Sequence, residues 1–402
     1  MKMMRGLGLS LLTAALLAAC GGGDPYVPGS GSTTGAPTAK GSFKAVVSFG
    51  DSMSDVGAYA PATSLAGNGQ APYMGGKFTT NGASGTVWVE NIAASLGLAI
   101  TPHEVGFAGT SVKCPAAAIS TSLANTCTGY AQGGSRVTDP NGIGKSGGAL
   151  TVPVVTQVAN HLARFGGFKD SDLVLVYVGS NDVFTQFGAF TAKATQIQTD
   201  AATGKITADQ AQLALFNAQT TAQGEMKKAA QELANIVRDQ ILAKGGKYVA
   251  VLTLSDIVDT PFGRSVPASV QPVLTDLSLI FNLWLRDGLT NQPVQIVDTF
   301  AMFKDSYQNP SKYGLTNNRI TASNGLKIPA CDGAKIAAIT GGQVKDGSSL
   351  FCNATAGVPY NGIRDGADVN TWLFADAVHP TTGGHKAISN SLLTQLKAYG
   401  WL

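Results

Sequence analysis

AVVSFGDSMSD, residues 45–55, begins as an apolar run and ends in a glycine-led polar turn. Residues 45–49 show no alternation of apolar and polar side chains. That pattern suits a strand buried on both faces. Three more runs read the same way: LVLVYV (173–178), YVAVLTL (248–254) and VQIV (294–297). Helical patterns lie between them. Thr207 and Gln210 carry a capping-box signature, and the Ala-, Gln- and Leu-rich stretch after it runs to about Leu242, with an expected break near Gly224. Residues 274–289 form a second amphipathic segment. Strands alternating with helices predict an open α/β sandwich on a mostly parallel sheet. Sheets of this kind place their sites at the carboxyl ends of strands.

The chain has 402 residues, of which 44% are hydrophobic and 13% charged. Such a composition excludes disorder over the whole length and supports a large core. The formal net charge is +3, and +1 without Lys2 and Arg5. No strongly basic domain remains, so nucleic acid is not an expected partner.

Lys2 and Arg5 open the chain, and an apolar run from Leu7 to Leu17 follows. This is the layout of a secretory signal, too short for a membrane span. Leu17, Ala18, Ala19 and Cys20 resemble the cleavage box of bacterial lipoproteins, which implies a signal peptide over residues 1–19 and lipidation of Cys20. Ordinary cleavage near Ala19 with a free Cys20 is the rival reading. Residues 21–40 hold fourteen Gly, Pro, Ser or Thr in twenty, the composition of a flexible tether with a reach of roughly 25 Å. The remaining cysteines are Cys114, Cys127, Cys331 and Cys352. Pairing Cys114 with Cys127 and Cys331 with Cys352 closes the shortest loops, and no C-x-x-C spacing points to a metal instead. The glycine- and serine-rich residues 109–152 and 319–370 read as long loops stapled by these two pairs.

Four short motifs carry candidate chemistry. GDSMSD (50–55) holds Ser52 in a tight turn beyond the first strand, read as lifted into solvent where free backbone N–H groups face a developing oxyanion. The bland alternative is a helix-capping serine. GYAQGGSR (129–136) has paired glycines that let a backbone N–H approach a ligand, or simply a flexible turn. GSND (179–182) places Asn181 at a strand end, where its amide can donate without charge of its own; a turn residue is the alternative. DAVHPT (376–381) places Asp376 three residues before His379, close enough to hold Nδ1 and leave Nε2 free for a serine proton. A surface ion pair or metal ligation would use the same residues, but His103, His161 and His385 form no ligand cluster by spacing.

Taken in order, FGDSMSD, GGS, VGSND and DAVHPT resemble the characteristic blocks of the GDSL or SGNH hydrolases. The resemblance runs from about Ser48 to the C-terminus. VWVENIAASL (87–96) and NPSKYGLTN (309–317) are similar to the branch holding bacterial outer-membrane esterases and plant GDSL lipases. The family's fold is a flavodoxin-like three-layer α/β/α sandwich, expected here over residues 41–402. Met53 stands where the family motif has Leu, a similar apolar volume. A helical insertion around residues 185–243 exceeds what a minimal member needs, and is read as part of a lid or acyl groove.

The resemblance implies roles. Ser52 matches the nucleophile, and Asp376 and His379 match the acid and base. The oxyanion hole would comprise the N–H groups of Ser52 and Gly134, with Gly133 the alternative, and the Asn181 amide. It implies a carboxylic ester hydrolase that works through an acyl-enzyme, without metal or cofactor. The expected partner is a small-molecule, lipid or polymer ester, and the membrane is met through the lipid anchor only. The expected location is the bacterial cell envelope, anchored to the outer membrane, or outside the cell. An acyltransferase would use the same residues, and a non-catalytic surface-binding lipoprotein is the reading from another class.

Overall fold

Each apolar run becomes a parallel strand. The computed structural model describes residues 35–60, 63, 76–316, 328–345, 347–355 and 361–402. The strands are β1 (Ala45–Gly50), β2 (Glu104–Phe107), β3 (Thr110–Lys113), β4 (Asp172–Tyr177), β5 (Tyr248–Leu252) and β6 (Gln295–Val297). The helices are α1 (Trp88–Ser95), α2 (Ala116–Ile119), α3 (Val154–Phe165), α4 (Ser180–Ala202), α5 (Ala208–Asn235), α6 (Pro261–Ser265), α7 (Gln271–Gly288), α8 (Thr299–Gln308), α9 (Gly333–Ile339) and α10 (Thr382–Ala398).

The central sheet has the order β1-β4-β5-β6, all parallel. Every residue of β4 and β5 is buried, which is why neither run alternates. A further segment extends the sheet beyond β1. Ser48 donates to Thr128 O at 3.0 Å, Tyr130 donates to Ser48 O at 2.8 Å, and Ser48 bridges Gly129 in parallel. The chain thus steps outward from β1 to this segment and then back across to β4. Right-handed crossovers put α1 and α3 on opposite faces, because the direction of travel reverses at β1. Both helices pack on β1, and α10 returns to pack on α1. This is an α/β sandwich, with the topological switch point at the carboxyl end of β1.

Several expectations need correction. The break near Gly224 does not occur: α5 runs unbroken through it to Asn235 and continues as a π-turn over Ile236–Ile241. Ala222, Met226, Ala229, Ala230 and Leu233 bury one face of the helix, and that burial outweighs the roughly 1 kcal/mol cost of a helical glycine. The 109–152 region is not all loop, since β3 pairs antiparallel with β2 and α2 follows. The tether ends before Lys40. The buried Trp401 indole donates to Pro37 O at 2.7 Å, and Gly41 donates to Trp401 O at 2.9 Å, because a buried indole N–H needs an acceptor. The signal segment, Cys20 and most of the tether lie outside the described residues. Among the described residues no helix is long and apolar enough to cross a membrane.

One side chain locks the end of β1. Gln157, buried on α3, accepts from Gly50 N–H at 2.9 Å and donates to Gly50 O and Val152 O, both at 2.8 Å. Gly50 is required there, since a Cβ would overlap the Tyr177 carbonyl oxygen. Gln157→Leu keeps the volume and strands the Gly50 N–H without an acceptor. It is expected to lower unfolding free energy by about 2 kcal/mol in urea titration.

Candidate active site

Beyond Gly50 the chain turns into one 3-10 turn, Ser52–Ser54, capped by Asp51, whose carboxylate accepts from Met53 N–H at 3.1 Å. Ser52 is 9% exposed. The expectation of a serine lifted into solvent is therefore corrected: neighbouring loops close over it. The closest is the DAVHPT turn. His379 Nε2 lies 2.8 Å from Ser52 Oγ, and His379 Nδ1 lies 2.9 and 2.8 Å from the two Asp376 oxygens.

That turn is built by its own aspartate. Asp376 Oδ1 accepts from the backbone N–H groups of Val378 and His379 at 2.9 and 2.8 Å. Oδ2 accepts from Ser349 N–H at 2.8 Å. Burial alone would push this carboxyl up. The His379 imidazole and the N–H donors of Ser349 and Val378 outweigh it and hold Asp376 well below the usual carboxylate range. The Phe78 ring lies against the other side of His379, centroids 4.8 Å apart. Phe78 is held in turn by His385, whose Nε2 bonds Phe78 O at 3.2 Å while Nδ1 accepts from Trp88 N–H at 3.3 Å. Burial drives the His385 imidazole down to about 3, so it is neutral and structural.

The second block reaches the serine from the segment beside β1. Gly133 N–H donates to Asp55 Oδ2 at 2.8 Å, and Asp55 Oδ1 accepts from Gly57 and Ala58. Tyr59 OH donates to Gly133 O at 2.7 Å. These bonds fix the Gly133–Gly134 peptide plane, so Gly134 N–H points away from Tyr59. Gly134 has φ +82°, and a Cβ there would overlap the Ile143 carbonyl oxygen. Among the described residues, the N–H groups of Ser52 and Gly134 meet no acceptor, whereas that of Gly133 is occupied.

The third block starts α4. Asn181 is buried and its Nδ2 donates to Ser135 O at 2.9 Å. Asp182 accepts from Arg136 Nε at 2.9 Å and from Val137 N–H at 3.2 Å, tying this helix end to the second block. The structure thus brings Ser52, Gly134, Asn181, Asp376 and His379 to the carboxyl ends of β1 and β4. Sequence reasoning missed Gln157, Phe78 and Ser349, which hold these groups from distant segments. Ser349 acts through a backbone N–H, which leaves no trace in residue type. Among the described residues no three His, Cys, Asp or Glu side chains gather as a metal-ligating group.

Both expected cysteine pairs are bonded, Cys114 to Cys127 and Cys331 to Cys352. The second braces the acid. Cys331 N–H donates to Ala375 O at 2.8 Å, and Ser349 lies inside the loop that the bond closes.

The profile of the GDSL-like Lipase/Acylhydrolase family matches residues 46–392. The chain belongs to this family and is a hydrolase of the ester type. Among curated proteins the comparison finds no match.

The two disulfides are expected to differ in function. Cys114→Ser with Cys127→Ser should cost roughly 3 kcal/mol of stability, from the loop closed, and leave turnover little changed. Cys331→Ser with Cys352→Ser should cost a similar stability and also lower kcat, because Asp376 loses the brace that presents Ser349 N–H. Denaturant titration and steady-state kinetics on both double variants check this.

Proposed function

We propose that the protein hydrolyses carboxylic esters through an acyl-enzyme on Ser52. The observation that carries this reading is the chain Ser52 Oγ, His379 Nε2, His379 Nδ1, Asp376, with both contacts at 2.8 Å. A carboxylate bonded to Nδ1 selects the tautomer whose Nε2 accepts the serine proton. Ser52 Oγ attacks the ester carbonyl as His379 takes that proton. The carbonyl oxygen becomes an oxyanion facing the N–H groups of Ser52 and Gly134 and the Asn181 amide. His379 then protonates the departing alcohol. Water, activated by His379, attacks the acyl-enzyme and releases the acid.

Gly134 suits the oxyanion role better than Gly133, because Asp55 already occupies the Gly133 N–H. Asn181 is anchored by one amide proton on Ser135 O, which leaves the other for the oxyanion. The His379 imidazole and the N–H donors hold the Asp376 carboxyl well below the usual carboxylate range, so Asp376 stays charged beside the base as it takes the serine proton. The N-terminal pattern supports export, with lipid attachment at Cys20 placing the domain at a membrane surface; Cys20→Ser should then move the protein from the membrane fraction to the soluble one without loss of catalysis.

Ser52→Ala should lower ester hydrolysis by more than about a thousandfold. Near-wild-type turnover would remove Ser52 as nucleophile. Asn181→Ala should lower kcat by about a hundredfold with little change in KM, since the amide binds charge present only in the transition state. A rise in KM alone would make Asn181 a ground-state contact instead.

A further inference from the structure

An apolar groove of about 460 Å³ opens beside the site, lined among others by Phe184, Phe187 and Gly188 of α4 and by Phe262, Val266 and Val270. Phe262 stands edge-on to Phe184 and Phe187, with centroids 5.4 and 6.4 Å apart. Both walls are continuous with the reacting groups. On α4, Asn181, Phe184 and Gly188 follow at the i, i+3, i+7 spacing and share one helix face. The row runs about 10 Å along the axis from the oxyanion amide. On the other side, Phe262 N–H donates to Ala377 O at 2.8 Å, within the Asp376–His379 turn.

We propose that this groove holds the acyl chain of the substrate, and that the protein prefers esters of medium-length unbranched fatty acids. The proposal rests on the reading of Ser52 as nucleophile. The row begins at the residue that faces the acyl carbonyl oxygen, so the chain attached to that carbonyl is the half of the ester placed to enter. The alcohol must leave past His379, and water must come in there, which requires that side to stay open. The acyl chain remains bonded to Ser52 through both steps and can lie in the groove throughout. The lining is aromatic and aliphatic, and none of the six residues named carries charge, so a straight hydrocarbon chain gains from each methylene it buries.

Gly188 is the specificity switch. It is exposed at the groove rim, and a Cβ built on it meets nothing within 4 Å. A larger side chain there fills the groove, and replacing a helical glycine favours the helix.

The test uses p-nitrophenyl esters from acetyl to dodecanoyl, together with acetate esters of straight-chain alcohols of the same lengths. For the wild-type protein, kcat/KM should climb about threefold to fourfold per acyl methylene until the groove is filled, and change little along the alcohol series. Gly188→Phe should cut the octanoyl-to-acetyl ratio of kcat/KM by about tenfold or more, with Gly188→Leu intermediate. Circular dichroism checks that both variants fold, as the open space around Gly188 leads one to expect. Hydrolysis with a flat acyl profile, a steep alcohol profile, or a ratio untouched by both substitutions would overturn the groove assignment while leaving ester hydrolysis in place. No hydrolysis of any ester would remove the nucleophile reading and the groove with it.

Discussion

The 2.8 Å contact between Ser52 Oγ and His379 Nε2 joins residues 327 positions apart. Keeping it requires that two turns, one after β1 and one before α10, be held by groups from distant segments as well as by their own aspartates. Gln157 clamps the backbone at Gly50 from α3, and Asp55 ties the first block to the second. Ser349 and the Cys331–Cys352 bond hold Asp376, while Phe78 backs His379. Thr381 caps α10 by accepting from Gly384 N–H at 3.0 Å, and Thr382 N–H donates to Thr80 at 3.0 Å. The site is thus a meeting of loops on a parallel sheet, located at the carboxyl end of β1, where the winding of the chain across the sheet changes direction.

Buried carboxylates surround this contact and do not behave alike. Burial pushes Asp51 up to about 7, and Asp55 and Asp182 up to about 6, against the N–H donors and, for Asp182, the Arg136 guanidinium that favour their charge. Asp376 is equally buried but moves the other way, because the imidazole and several N–H groups converge on it. The difference matches the tasks. Asp55 and Asp182 organise backbone, where a carboxylate in either state keeps an acceptor oxygen. Asp376 must stay charged beside an imidazole that gains a proton during the reaction.

Much of this was legible from residue order. Strands buried on both faces leave runs such as LVLVYV, and the sheet strands appear within a residue or two of those runs. Asp376 and His379 meet because a three-residue turn brings them together, which is local information. Contacts that depend on distant segments were not legible. Thr128 to Tyr130 joins the sheet without any apolar run, because its hydrogen bonds come from the backbone beside β1. Gln157 looks like any polar residue on an amphipathic helix. The burial of Ser52 follows from tertiary closure, which a turn motif does not encode. Gly224 was misread because local propensity gave way to packing along α5.

The central claim is that Ser52 carries the acyl group between the two steps. The most direct test is intact-protein and peptide mass spectrometry after rapid acid quench of the protein mixed with a p-nitrophenyl ester. The account predicts a burst of nitrophenol with an acyl adduct on the peptide containing Ser52, absent in Ser52→Ala. Turnover with no adduct, or an adduct on another residue that persists in Ser52→Ala, would contradict it.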